Sequence, residues 1–229
     1  MKNEYSPIII VAALYAEIQG LISNLKRISS WLWEGEYAGH LVRVVKTGVG
    51  RAMVQKNLGK ALLDAHRGCL VINIGWAGAL QPHLKVGSIV AAREIVEVSG
   101  SRNGVGRDLS LLPDSPPLAA LSAGGMIAQG TLLTVSQVAN VEEKQDLRQR
   151  YPQALALDME SFPVAELCQK RQLPVMILRA ISDTLHFRLP DQLGKETITE
   201  DHTRLYRACQ QAAKANLEAL SFFLKQYIH

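Results

Sequence analysis

The sequence predicts a single α/β domain over residues 1–229, with a central mixed, mostly parallel sheet flanked by helices on both faces. Three observations carry this. Continuous apolar runs at Ile8–Ala13, Leu70–Ile74 and Val175–Ile181 have the Val/Ile/Leu/Ala make-up of strands buried on both sides. Strand and helix patterns alternate from end to end, without an internal repeat or a Pro/Ser-rich linker. The hydrophobic share, 48% of 229 residues, is ample for a sizeable core.

Taken in order, Ile8–Ala13 is a central strand, and a helix follows over about Ala16–Leu25 with Ile18, Leu21 and Leu25 inward. Trp31–Tyr37 and Leu41–Lys46 form a hairpin turning at Gly39-His40. TGVG, Thr47–Gly50, breaks the second of these strands and opens a helix to about Ala65. Leu70–Ile74 is buried strand ending in a Gly-rich turn, GWAGAL, Gly75–Leu80. Ser88–Val98 is a further strand. Gly100–Gly124, with its prolines and glycine pairs, reads as a long surface loop. Met126–Val135 reads as a strand pair interrupted at Gly130, and Glu142–Arg150 as a short charged helix. Ala154–Leu157 is a strand that turns at Asp158, Met159 and Glu160 into a helix stopping before Pro174. Val175–Ile181 ends abruptly in Ser182-Asp183. After a polar loop, Leu185–Thr199, the residue Thr199 caps a last helix with Glu200 and Asp201 in its first turn. Its inward stripe is Leu205, Ala208, Ala212, Leu217, Leu220 and Leu224.

Composition excludes several classes. A formal charge of +4 arises from 25 basic and 21 acidic residues without a long like-charged run, so no nucleic-acid partner is expected. The three cysteines, Cys69, Cys168 and Cys209, form no CxxC pair and signal neither a disulfide framework nor a zinc site, which fits a reducing compartment. The first apolar run is too short to span a membrane and has no cleavage pattern, so a cytoplasmic chain without membrane contact is expected. The six histidines lack metal-ligand spacing, and G-x-S-x-G and GxxxxGK[ST] are absent. TGVGR has Met53 where a dinucleotide fingerprint needs glycine. No metal and no cofactor is therefore expected. Two readings of the TGVG turn stay open: N–H groups that hold an anion or a water, or a connection needing glycine for backbone freedom alone. GWAGAL carries the same choice.

Ligands of open α/β sheets collect beyond the carboxyl ends of strands. Glu17, Glu160 and Asp183 all stand at such ends, so the last two are expected to face one cleft. Glu17 and Glu160 also read as ordinary first-turn helix charges. Asp183, following an apolar run broken only by Arg179, is functional or an N-cap.

Five stretches in order resemble the nucleoside phosphorylase and nucleosidase superfamily. They are IVAALYAEI at 10–18, TGVG at 47–50, NIGWAGAL at 73–80 with LKVGSIV after it, ALDMES at 156–161, and RAISD at 179–183. The hydrolytic branch typified by 5′-methylthioadenosine/S-adenosylhomocysteine nucleosidase is most similar. The resemblance implies a nucleoside phosphorylase-like fold and cleavage of the N-glycosidic bond between purine and ribose. By position, Glu17 matches the carboxylate that activates water, and Asp183 the acid that protonates the leaving purine, positioned by Ser182. Met159 and Glu160 match the ribose-holding pair, and Arg179 a position near the water. Trp76, Ala77 and Gly78 match the Gly-rich stretch of the pocket, and Val138 (or Gln137) stands where the family's purine-stacking aromatic lies. A homodimer is implied as well.

The chemistry is coherent. The transition state is an oxocarbenium-like ribosyl cation, as in glycosidases. Carboxylates beneath the sugar stabilise it, and protonation of the leaving base is worth roughly 10²–10⁴-fold. Such an acid is usually kept protonated by burial or by a neighbouring carboxylate.

Departures limit the transfer. Trp76 replaces a small hydroxyl residue, and the stacking aromatic is missing. ALDMES with a downstream FRLPD also resembles the branch acting on adenosylhopane or related large adenosyl compounds. The phosphate loop of the phosphorylases is replaced by AALYAE, whose Glu17 repels phosphate and suits water, although Arg51 and Arg179 leave room for phosphate. A nucleoside-binding protein without turnover is the rival from another class.

Overall fold

The computed structural model describes residues 8–65, 68–98, 107–110, 127–187 and 200–227. Strand β1, Ile8–Ala12, is buried at every position, and helix α1, Tyr15–Ile22, follows it. The short β2, Lys26–Arg27, precedes a hairpin of β3, Leu32–Tyr37, and β4, His40–Lys46. Tyr37 pairs His40, so the two-residue turn is Ala38-Gly39 rather than Gly39-His40. Both turn residues have positive φ, the condition that matches a hairpin's twist. Helix α2 is Arg51–Ala61, β5 Val71–Ala79 and β6 Ile89–Glu97. Strands β7, Arg107–Ser110, and β8, Ile127–Thr134, lead to α3, Val141–Arg150. Strand β9, Ala154–Asp158, helix α4, Ser161–Lys170, strand β10, Val175–Asp183, and helix α5, Glu200–Tyr227, complete the order.

These make one α/β domain around a large mixed sheet. Strands run in the order β10-β6-β8-β9-β5-β1-β4-β3-β2, and β10 also pairs β5. That extra pairing closes β5, β9, β8, β6 and β10 on themselves, with β1 to β4 continuing outward. Parallel ladders join β1 to β4 and β5, β5 to β10, and β8 to β6 and β9. The other five pairings of described strands are antiparallel, so the sheet is more evenly mixed than the apolar runs predict. One apolar cluster packs α2 and α4 on one face, and a second packs α1 and α5 on the other.

Three further expectations on elements need correction. GWAGAL is not a turn: Gly75–Ala79 continue β5, paired to β10 from Gly75 through Gly78 and to β9 at its end. Met126–Val135 is not a strand pair, because β8 runs unbroken through Gly130, where an added Cβ would meet Leu155 at 2.8 Å. Within Gly100–Gly124, Arg107–Ser110 pairs β6 as an antiparallel strand; the rest of that stretch lies outside the described residues. So do Thr199 and Arg188–Asp191 of FRLPD.

Candidate active site

The carboxyl ends of β1, β4, β5, β9 and β10 converge, and each brings one part of the site. Glu17 sits in the first turn of α1, 5% exposed, and folds back on the chain that leaves β1. Its Oε2 accepts from the N–H groups of Ala13 (3.0 Å) and Leu14 (2.8 Å), and its Oε1 from that of Trp76 (2.9 Å). Burial pushes the Glu17 carboxyl above its ordinary range, against the pull of these N–H groups and Arg179. A first-turn charge would be solvated; this one is enclosed.

The strand that carries GWAGAL needs its glycines for room. A Cβ on Gly75 would lie 2.9 Å from Glu17 Oε1, and one on Gly78 would lie 2.9 Å from Asp183 Oδ2. Glu17 and Asp183 therefore flank the same strand three residues apart, roughly 10 Å along an extended chain.

Glu160 caps α4, and its Oε1 accepts from the Gly50 N–H at 2.8 Å. Gly50 has φ 83° and Gly48 φ 86°, so the TGVG turn requires glycine for its backbone and also spends an N–H on Glu160. Burial and then Asp158 push the Glu160 carboxyl up to about 7, with Glu17 adding to the rise. Met159 lines a cavity of about 310 Å³ together with Gly50, Thr134, Val135 and Ser136.

Asp183 ends β10 after a register shift between Ile181 and itself, which leaves Ser182 as the bulged residue. Bulges re-aim side chains, and here the Ser182 hydroxyl donates to Asp183 Oδ1 at 2.7 Å. Asp183 Oδ2 pairs with the ammonium of Lys144, which also donates to the Thr184 carbonyl at 3.1 Å. Lys144 is 1% exposed. Asp183 is buried, and its charged neighbour is a buried cation. Cys209 on α5 lies near both acids: burial, then Asp183 and Glu17, push its thiol up to about 12.

Arg179 stands beside Glu17: a Cβ on Gly75 would meet Arg179 Nη1 at 3.4 Å as well as Glu17 Oε1 at 2.9 Å. It is 2% exposed, and its Nε donates to Asp158 Oδ2 at 2.7 Å while a terminal nitrogen donates to the carbonyls of Asn73 and Leu178. Asp158 in turn accepts from Thr134 and from Ser161. The guanidinium is a strut between β10, β5 and β9, with acceptors of its own. Arg51 is likewise held by Glu97 and Glu166. Trp76 sends its indole to the α1/α5 cluster, with Nε1 buried and without a hydrogen-bond partner among the described residues, so it does not fill the water side beside Glu17. Ala77 is buried on the other face and accepts from Ser182 at 3.4 Å; Val138 is 53% exposed on the loop before α3.

The family model described as the phosphorylase superfamily matches residues 7–221. The chain belongs to that superfamily. Among curated relatives, the 5′-methylthioadenosine/S-adenosylhomocysteine nucleosidase of Baumannia cicadellinicola subsp. Homalodisca coagulata is 30% identical over 76% of this chain and 84% of its own. Among solved structures, the S-adenosylhomocysteine nucleosidase from Streptococcus pyogenes in complex with 5-methylthiotubericidin shares the fold over 100% of both chains, with TM-score 0.77 and 22% identity. The 5′-methylthioadenosine/S-adenosylhomocysteine nucleosidase from Neisseria meningitidis in complex with methylthio-immucillin-A shares it over 96% of this chain and 99% of its own, with TM-score 0.76 and 22% identity.

Lys144, Asp158 and Asn73 were not foreseen as parts of the site. Lys144 lies in EEKQDLRQR, where five charged neighbours describe a solvated helix. Its one sequence signal is the i,i+3 spacing to Leu147, which puts both on the buried face of α3.

Proposed function

We propose that the protein hydrolyses the N-glycosidic bond of an adenine nucleoside such as 5′-methylthioadenosine or S-adenosylhomocysteine, releasing the base. The observation that carries this reading is the enclosed Glu17 carboxylate, held by three backbone N–H groups beside β5 while the Arg51 and Arg179 guanidiniums are engaged by carboxylates of the protein. An attacking phosphate would meet a carboxylate there, with both guanidiniums already paired to carboxylates; a water meets a base. Burial raises Glu17 toward neutrality, the direction that suits a general base.

In this reading Glu17 takes the proton of the attacking water, and Glu160, next to Met159, accepts from ribose hydroxyls and stabilises the ribosyl cation. Asp183, oriented by Ser182, delivers a proton to the imidazole side of the leaving base. Trp76, Ala77 and Gly78 form the strand that spaces the two acids, and Val138 stands over the base from the loop before α3. Arg179 fixes Asp158 and through it the turn that carries Glu160. The kinship with methylthioadenosine/S-adenosylhomocysteine nucleosidases supports adenine as the base.

Incubation with methylthioadenosine, S-adenosylhomocysteine and inosine tests the reading: free adenine from the first two is expected, and tight binding without turnover would replace the enzyme by a sensor. Asp183→Asn should cut kcat about 10²-fold or more with little change in KM; an intact rate would remove Asp183 from the acid's role.

We further propose a homodimer, supported by exposed Leu14 and Tyr15 after β1 and Val49 and Met53 after β4, two paired strands whose ends lie side by side. No helix of the described residues is long and apolar enough to cross a membrane. Three free cysteines, two of them buried, support residence in a reducing compartment, the cytoplasm.

A further inference from the structure

A buried lysine is among the costliest side chains to place in a core, and it is tolerated only when paired. Lys144 is 1% exposed, yet it sits in a helix whose other charged residues face outward. Its ammonium has a carboxylate partner in Asp183 and a carbonyl partner in Thr184. Gly78 makes the pairing possible, since a Cβ there would lie 2.9 Å from Asp183 Oδ2 and 3.1 Å from Lys144 Cε. Three elements, α3, β5 and β10, are thus shaped around one ion pair.

That pair changes how a proton reaches the leaving base. Both Asp183 oxygens accept hydrogen bonds, Oδ1 from Ser182 and Oδ2 from Lys144. Asp183 is therefore arranged as an acceptor, whereas the reaction needs a donor. We infer that Lys144 is a positioning residue that supplies the proton which Asp183 passes to the departing purine. The inference rests on the nucleosidase reading above.

The bookkeeping closes. As the C–N bond breaks, its electron pair goes to the base, and the base's imidazole-side nitrogen gains an N–H from Asp183. Asp183 starts ionised and receives that proton as a Nζ–H bond of Lys144 breaks, so after passing it on Asp183 is ionised again and Lys144 is neutral. Water forms the new C–O bond and gives its proton to Glu17. Exchange with solvent then returns one proton from Glu17 to bulk and one from bulk to Lys144.

The test measures kcat and KM for adenine release from methylthioadenosine by wild type, K144M, D183N and the double variant, and repeats all four on 4-nitrophenyl β-D-ribofuranoside. The nitrophenolate departs without a proton. K144M should lower kcat on methylthioadenosine about 10²-fold with KM changed only about two- to threefold. The double variant should lose no more than D183N alone, because the two side chains act as one unit. On the nitrophenyl riboside the K144M loss should shrink by about tenfold or more. K144Q, whose amide still donates to Asp183 and Thr184 and strains the fold less, should behave as K144M does. Losses that multiply, losses equal on both substrates, or rescue by K144Q would each reduce Lys144 to a structural partner and overturn the inference. No release of base from any nucleoside by the wild type would instead overturn the nucleosidase reading itself.

Discussion

Glu160 is the residue whose protonation most directly links stability to pH. Burial and the Asp158 charge push its carboxyl up to about 7, from 4.5 as the ordinary value. Between these two values the folded chain holds a proton that the unfolded chain has released, so stability falls as pH rises through the window and is level above it. Glu160→Gln removes the titration. Between about pH 5 and about pH 8 the wild type should lose roughly 1–3 kcal/mol more stability than E160Q, read from urea midpoints at the two pH values. Equal slopes would place the Glu160 charge in water. The same variant should raise KM, since a neutral amide holds ribose hydroxyls less strongly than a carboxylate. Part of this scale is legible in the sequence: Glu17, Glu160 and Asp183 are carboxylates just past apolar strands, although the first two also read as first-turn helix charges. Arg179 and Lys144 are not legible, because their partners Asp158 and Asp183 lie across the sheet and in another element. Arg179 shares the space over Gly75 with Glu17, while its own acceptors make it a strut.

At the scale of elements, helix α3 has little apolar surface to hold it and depends on its start. Asn140 accepts from the Glu143 N–H at 2.9 Å, and Glu143 accepts from the Asn140 N–H at 2.8 Å, a reciprocal cap. Asn140→Ala should cost about 1 kcal/mol of stability. Lys144 lies one residue past this box, so fraying should also lower kcat while leaving KM nearly unchanged. A stability loss with unchanged kcat would detach α3 from the chemistry. Most elements follow from periodicity, and β1, α2, β9, α4, β10 and α5 fall close to their expected positions. GWAGAL does not. Glycines in a sequence read as turn, but here they clear space for two carboxylates in a strand paired on both edges. Gly130 misleads in the same way, through the Leu155 side chain packed over β8.

For the whole molecule, the alternation of strands and helices predicts the α/β class, whereas the closure of β10 onto β5 does not follow from any local pattern. That pairing joins residues about a hundred positions apart in the chain, Val175 with Val71 through Asp183 with Gly78. It is also what brings Asp183 against the strand that faces Glu17, so the site exists only once the ring of strands has closed. The central claim is that this closed site activates water and not phosphate. The direct measurement is the initial rate of adenine release from methylthioadenosine as inorganic phosphate is raised from none to saturating levels, with the sugar product identified. Full rate without phosphate, with free methylthioribose as the product throughout, is the predicted result. A rate that requires phosphate and yields a ribose 1-phosphate would contradict it.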